Sequence, residues 1–508
     1  MDPPSSSSSE RWLWWMDDEK KHSIADTIDI EKSEDGEKID ARKERIRDCM
    51  TVLGGFLSIM ATGGAINSVG LLQTHWENNQ LREYSPQTVG WIAGTNIFLS
   101  LFVPVLAGPV FDRYGHIWIL AVGSGLFVVG LFIISFFDNH SAAPVTLGMM
   151  ISSWGVLCGT GYGLIQTAVP GVICRRFDRR RGLANGFSSL GNSVGGVLWP
   201  MLLRVALERL GWSWSMRAID GLALVMLAIG NGLMWGSGVP AVGIAARPEP
   251  ESSDNEKNKE EQEEEGREPS LTWGQCIRDG ARCFRKGDFV WMTASLAIFQ
   301  FVVMGVAGTL PSWGQQQGFE DASLFFYVVA VVNAGAAAGR VVVGSISDSL
   351  GRFNSVIIVQ TMVVIVGFGI WHNVGTNERL LYVFAALWGF SNGAILGLWS
   401  PLVGECVHTP APDHIHAIIE SLRLLTELVC GVSRLCDVEN FGRYLSAASS
   451  VVSIAGLLCV PSSAQILGTL GPDIHVIFFG TLLILSLMFM VMARVTFTGY
   501  SFKIWRVV

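Results

Sequence analysis

Long windows almost free of charge constrain this chain more than any other feature. Twelve can be marked: roughly 51–73, 88–110, 117–137, 146–172, 183–206 and 217–237, then 289–311, 322–345, 354–373, 379–403, 443–467 and 474–495. About 20 apolar residues rise about 30 Å as a helix, enough to cross the hydrocarbon core of a bilayer. The expectation is an all-α membrane protein whose first partner is the lipid bilayer. Only 16% of its 508 residues are charged. Those charges crowd into the first 50 residues, a stretch near 245–290, and short segments between windows. The net charge of −8 arises in the polar stretches, so no nucleic-acid partner is expected. Nine scattered cysteines suit neither a disulfide framework nor a metal site, and read as small apolar packing residues.

Two near-copies of one motif show how the windows are organised. Gly108, Asp112 and Gly115 form G-x3-D-x2-G between windows 2 and 3, with Arg113 after the Asp. Gly344, Asp348 and Gly351 repeat it between windows 8 and 9, with Ser349 after the Asp. One match would be an ordinary turn. Two in corresponding places imply a six-helix unit written twice, as in secondary transporters. The expected fold is two pseudo-symmetric six-helix bundles.

Charge near the windows sets an expected orientation. Arg42, Lys43, Arg45 and Arg47 precede window 1, Arg175, Arg176 and Arg179–Arg181 fill the 4/5 loop, and Arg282, Arg285 and Lys286 precede window 7. Loops 3/4, 7/8 and 11/12 carry no Lys or Arg. Both termini and both motif copies are therefore expected in the cytosol. The N-terminal stretch lacks the apolar core of a cleavable signal, so the first span would direct insertion.

The domain expectation is a disordered tail over 1–50, a bundle over 51–237, an acidic linker over 238–288, a bundle over 289–495, and a short tail over 496–508. Residues 405–441 do not fit this plan. Ile415, Ile418, Ile419, Leu422, Leu425, Leu428 and Val429 fall at helical spacing, opposite Glu420, Arg423 and Glu427. Two readings stand: an amphipathic helix on the cytosolic membrane surface, or an untranslated insert. Gly404-Glu405 can be encoded by GGTGAG, a common splice-donor sequence, and a recognisable pattern resumes at Glu439.

On these residues the chain resembles the major facilitator superfamily, whose 2/3-loop pattern is matched by Gly108, Asp112, Arg113 and Gly115. A narrower resemblance lies at Phe177, Arg179, Arg180, Leu183, Ala184 and Gly186. They look like the 4/5-loop signature of the monocarboxylate-porter family, in its fungal branch, with Arg176 departing from the usual Tyr. The resemblance implies that Asp112 and Arg113 form a conformational latch, and that Asp348 forms a weaker one. It also implies a Lys late in span 1 and an Asp four residues before an Arg in span 8. Here those positions are Asn67 and Ala336, while Arg340 is kept. The absence of both proton-handling companions argues against proton-coupled lactate transport.

Arg340 is the leading candidate for substrate binding, because an ionisable side chain inside an apolar helix is costly unless paired or facing a wet cavity. A guanidinium can hold a carboxylate through two parallel hydrogen bonds. The alternative is snorkelling, since Arg340 lies about 12 Å of helix from Asp348. Asn67 and Asn333 are candidate neutral partners. Arg204 and Asp220 are expected as a pair near the other membrane face. Glycines at 155, 159 and 163, and at 191 and 195, have the spacing of close helix packing.

Enzyme signals are poor. Gly389, Ser391 and Gly393 match G-x-S-x-G but sit inside an apolar window, where a strand-to-helix turn has no place. There is no phosphate-binding loop and no ligand cluster, so no cofactor or metal is expected. The sequence points to a secondary transporter of a small organic acid or secondary metabolite, working by alternating access, with efflux as a candidate direction. Uptake of a neutral vitamin-like solute, or a non-transporting receptor on the same fold, are the alternatives. A plasma-membrane location is expected, with a vacuolar or other internal membrane as the alternative, and a coupling proton is left open.

Overall fold

The computed structural model describes residues 18–137, 147–177, 181–236, 284, 286–319, 324–407 and 439–498. Helices make up nearly all of these residues. In order, they are α1 (Asp18–Asn67), α2 (Val69–Asn78), α3 (Pro86–Tyr114), α4 (His116–Ile134), α5 (Leu147–Met150) and α6 (Gly159–Arg176). A π-helical stretch, Ile151–Cys158, joins α5 to α6. Then follow α7 (Arg181–Trp235), α8 (Gly287–Gln317), α9 (Leu324–Leu350), α10 (Arg352–Ile365), α11 (Glu378–Val407) and α12 (Glu439–Phe497).

Ten helices among the described residues are long and apolar enough to cross a membrane. Two of them, Ala184–Trp235 and Ser446–Phe497, run for 52 residues each, far more than one crossing needs. Each turns at a glycine with positive φ, Gly211 at 70° and Gly471 at 85°, so each supplies two crossings. The ten helices are thus consistent with the twelve expected spans. One difference lies at the N-terminus. The tail expected to lack structure is helical from Asp18 onward, continuous with the first span. Residues 238–283 and 285 of the expected linker over 238–288, and the segment 408–438, lie outside the described residues.

Both copies of the duplicated motif end alike. Gly115 (φ 79°) separates α3 from α4, and Gly351 (φ 83°) separates α9 from α10. A left-handed residue at a tight helix-to-helix turn favours glycine, which explains why the last position of the motif is kept in both. The side chains of Asp112, Arg113 and Asp348 lie outside the described residues, so the latch stays an expectation.

Two buried cores follow the two halves. One is built around Trp76, Phe127, Trp154 and Ile165, and the other around Phe299, Trp313, Trp371 and Phe384. Leu101, Phe301, Met304 and Phe326 pack against both, so they mark the seam. The outer surface carries large exposed apolar side chains such as Ile229, Ile358, Ile365 and Met488. Water would penalise such a surface and lipid does not.

Candidate functional site

The two halves meet along three helix pairs. On the side away from the duplicated motifs, α2 runs against α8, with no room for a side chain at Gly70 beside the Ala307 carbonyl. Next, α3 lies on α12, where Gly90 faces Pro461 and Gly94 faces the Leu457 backbone. Third, α7 meets α9 between Arg204, beside Tyr327, and Ser189, beside Arg340. The far end of the seam is closed by α2, α3, α8 and α12.

Arg340 sits on the third pair. Its Nη1 donates to the Ser189 carbonyl at 3.1 Å and to the Ser193 hydroxyl at 2.7 Å, both on α7 of the other half. Its stem lies over Gly397 of α11, and the Tyr162 phenol of α6 is near enough to feel its charge. The guanidinium thus bonds α7 of the other half, while the stem rests on α11 of its own. The side chain reaches across the seam and does not snorkel along its own helix. Among the described residues no carboxylate pairs with it. Nε and Nη2 make no hydrogen bond to any described residue. They form the edge of the guanidinium that matches a carboxylate side-on.

The other candidates are placed differently. Asn67 donates to the Asn192 carbonyl at 3.1 Å and to its side-chain oxygen at 3.3 Å, within the same half. Asn192 directly precedes Ser193, so Asn67 touches the Arg340 site through one residue. Asn333 is buried, donates to the Val329 carbonyl of its own helix at 2.9 Å, and fills the space beside Gly196 of α7. Arg204 does not pair with Asp220. It pairs with Glu208 one turn on at 3.1 Å, and its guanidinium lies over the Tyr327 ring at 4.9 Å from the centroid while also bonding the phenol oxygen. Asp220 is buried, with Oδ1 unpartnered.

Two contacts on the motif side escaped the sequence. Arg176, the residue that departs from the monocarboxylate-porter pattern, pairs with Asp48 at the start of the first span at 2.6 Å. Its neighbour Arg175 lies over the Phe111 ring of the first motif copy, 4.5 Å from the centroid. The basic end of α6 is thus tied to α1 and α3. A third contact, Glu77 of α2 with Ser312 of α8, joins the halves at the closed end. A lone Glu at the edge of a window gives no signal by itself; only its partner across the seam does.

The G-x-S-x-G match lies within α11 and forms no strand-to-helix turn. Gly393, the last residue of G-x-S-x-G, packs directly on the Ala336 backbone, and Ser391 donates to its own helix at Leu387. No group of three or more His, Cys, Asp or Glu residues among the described residues could hold a metal ion.

Comparison with known proteins agrees with this architecture. The Major Facilitator Superfamily pattern matches residues 51–423. The riboflavin transporter MCH5 of Saccharomyces cerevisiae is 25% identical over 496 residues, covering 94% of this chain and 84% of that protein. The aspyridones efflux protein apdF of Emericella nidulans is 25% identical over 439 residues, covering 85% and 74%. Among solved structures, a point mutant of the nucleoside transporter NupG shares the fold with a TM-score of 0.59 at 10% identity, over 87% of this chain and 99% of that one. With that family pattern over most of its length and ten helices long and apolar enough to cross a membrane among the described residues, the chain belongs to the Major Facilitator Superfamily and is a multi-pass membrane transporter of small solutes.

Proposed function

We propose that the chain exports an organic anion, such as an acidic secondary metabolite, by alternating access. The acid group would sit on the Nε/Nη2 edge of Arg340. One observation carries this reading: a guanidinium on the seam between α9 and α7 is held through Nη1 alone and has no acidic partner of its own among the described residues. A half-buried cation bonded only to neutral oxygens is under-compensated, and an anionic solute supplies the missing charge. Asn67, acting through Asn192, and Asn333 beside Gly196 are the neutral groups placed to shape the site.

Asp112 with Arg113 serves as the latch on the motif side, and Asp348 as its weaker counterpart. That side faces the cytosol of a plasma-membrane protein, by the distribution of Lys and Arg. The relative from Emericella nidulans is named an efflux protein, which supports the direction. The narrower monocarboxylate-porter resemblance supports an acid as cargo.

The test is flux in inside-out membrane vesicles offered a panel of apolar carboxylic acids. Accumulation that Arg340→Ala lowers at least tenfold supports the anion clamp; equal flux in the variant overturns it. A second reading rests on a relative that spans nearly the whole chain, the riboflavin transporter. Uptake of riboflavin into right-side-out vesicles, unaffected by Arg340→Ala, would favour a neutral vitamin-like cargo.

A further inference from the structure

Gln166 of α6 is a polar side chain left over by the packing. It lies seven residues before the end of the span Leu147–Ile173, yet it is exposed and hydrogen-bonds no described residue. A carboxamide has two donors and an acceptor to satisfy. Facing hydrocarbon, all of them would go without partners, which lipid penalises heavily. What Gln166 does therefore depends on the side of α6 from which it projects.

Three sides of α6 are taken by its own half. Gly159 and Gly163 pack on Asn96, Leu99 and Val103 of α3, Gly161 packs on Gly123 and Phe127 of α4, and Val169 packs on Gly55 of α1. A helix turns by about 100° per residue. Tyr162 and Gln166 thus stand about 20° and 60° round from Val169, in the interval of about 80° that ends at Gly159. That interval lies between the α1 and α3 sides. These two helices lead to the other half: α3 lies on α12, and α1 continues into α2, which meets α8. The interval opens on the seam, away from lipid. Tyr162, in the same interval, feels the charge of Arg340.

The depths agree as well. Arg340 lies seven residues before the end of its own span, Leu324–Ser347. Both helices end on the motif side, α9 at the second copy and α6 where Arg175 covers Phe111 of the first. Gly397, under the Arg340 stem, is exposed, so the space beside the guanidinium is open. One half presents the Nε/Nη2 edge of Arg340, and the other presents an unengaged carboxamide at the same level.

We propose that Gln166 is a specificity-determining residue: it hydrogen-bonds a neutral polar group in the body of the cargo while the acid group rests on Arg340. The cargo class narrows to organic acids that carry an amide or a ketone, and plain hydrocarbon acids are carried less well. This assignment rests on the anion clamp at Arg340. A carbonyl oxygen accepts from Gln166 Nε2, and an N–H donates to its Oε1, so either end of an amide suits the side chain. One neutral hydrogen bond of this kind changes flux by about fivefold.

The test compares two acids in inside-out vesicles. Phenylhexanoic acid and N-phenylpropanoylglycine have the same chain length and differ by one amide. At equal low concentration the parent protein should carry the amide acid faster by about fivefold. Gln166→Leu should bring the ratio to about one by slowing the amide acid. A parent ratio of about one or less, or a parental ratio in Gln166→Leu, overturns the proposal. Arg340→Ala should slow both acids alike. A failed clamp shows as unchanged flux in that variant, and a failed role for Gln166 as an unchanged ratio in Gln166→Leu. If neither acid is carried, or Gln166→Leu is not monodisperse, Gln166→Cys decides in the full chain freed of other reactive cysteines. Alkylation by a water-soluble maleimide, slowed more by the amide acid than by the plain one, supports the assignment. No alkylation, or equal rates with both acids, overturns it.

Discussion

Arg340 shows how much one residue's meaning depends on its bonds. In sequence it is a charge in an apolar helix, equally suited to snorkelling or to binding. In the fold Nη1 is committed to Ser189 and Ser193, and the side-on edge is left over. Hydrogen bonds to a charged group contribute about 1.5–3 kcal/mol each. Losing the clamp should therefore lower flux of an acidic solute by roughly ten- to a hundredfold. Arg340→Lys keeps the charge but not the planar fork, so vesicle flux should fall between parent and Arg340→Ala. The Asp48–Arg176 pair predicts something smaller. It is partly exposed, at 34% and 15%, and solvent screens it. Asp48→Asn should cost at most about 1 kcal/mol, read as a small drop in thermal midpoint in detergent with transport retained.

At the scale of helices, the glycines decide how closely backbones approach. Trp154, Gly155, Gly159 and Gly163 recur as Trp388, Gly389, Gly393 and Gly397. In both halves the row packs on the second helix of the unit: Thr95, Asn96 and Leu99 on α3, then Val332, Ala336 and Arg340 on α9. This second internal repeat was legible in the sequence. The chance likeness of Gly389, Ser391 and Gly393 to a catalytic turn hid its use in packing. The preceding tryptophans behave alike too, Trp154 edge-on to Trp76 at 5.9 Å, and Trp388 meeting Trp371 at 5.9 Å. Because Gly393 has no space for a Cβ, Gly393→Leu should overpack the α9–α11 contact by about 1–3 kcal/mol or more. The expected result is a lowered thermal midpoint and less monodisperse protein. Gly125→Ala, where nothing lies within 4 Å, should leave both unchanged or slightly raised.

For the whole molecule, the prediction concerns separation of the halves. Thr74 and Ser312 hydroxyls are 3.3 Å apart across the seam. Cysteines at these two positions should form a disulfide under mild oxidant and stop transport, and a reductant should restore it. Full flux in the cross-linked protein would mean that this end need not open. The fold was largely readable beforehand, because apolar length and the doubled G-x3-D-x2-G depend only on local sequence. The site was readable in part. Arg340 stood out as a charge inside an apolar window, whereas Glu77 and the Asp48–Arg176 pair did not, since each is an ordinary charge near a helix end until its partner is known.

The sequence by itself determined that this chain crosses a membrane about twelve times and that its halves are copies, because lipid admits helices of one length and duplication leaves its spacing behind. Only the tertiary structure decided which residues bridge the copies. Ser193 is 147 residues from Arg340, and Ser312 is 235 from Glu77. No local propensity links such distant positions. Their meeting is set by how two packed bundles close on one another, and that closure places one half-buried guanidinium and one half-buried carboxylate on the seam between them.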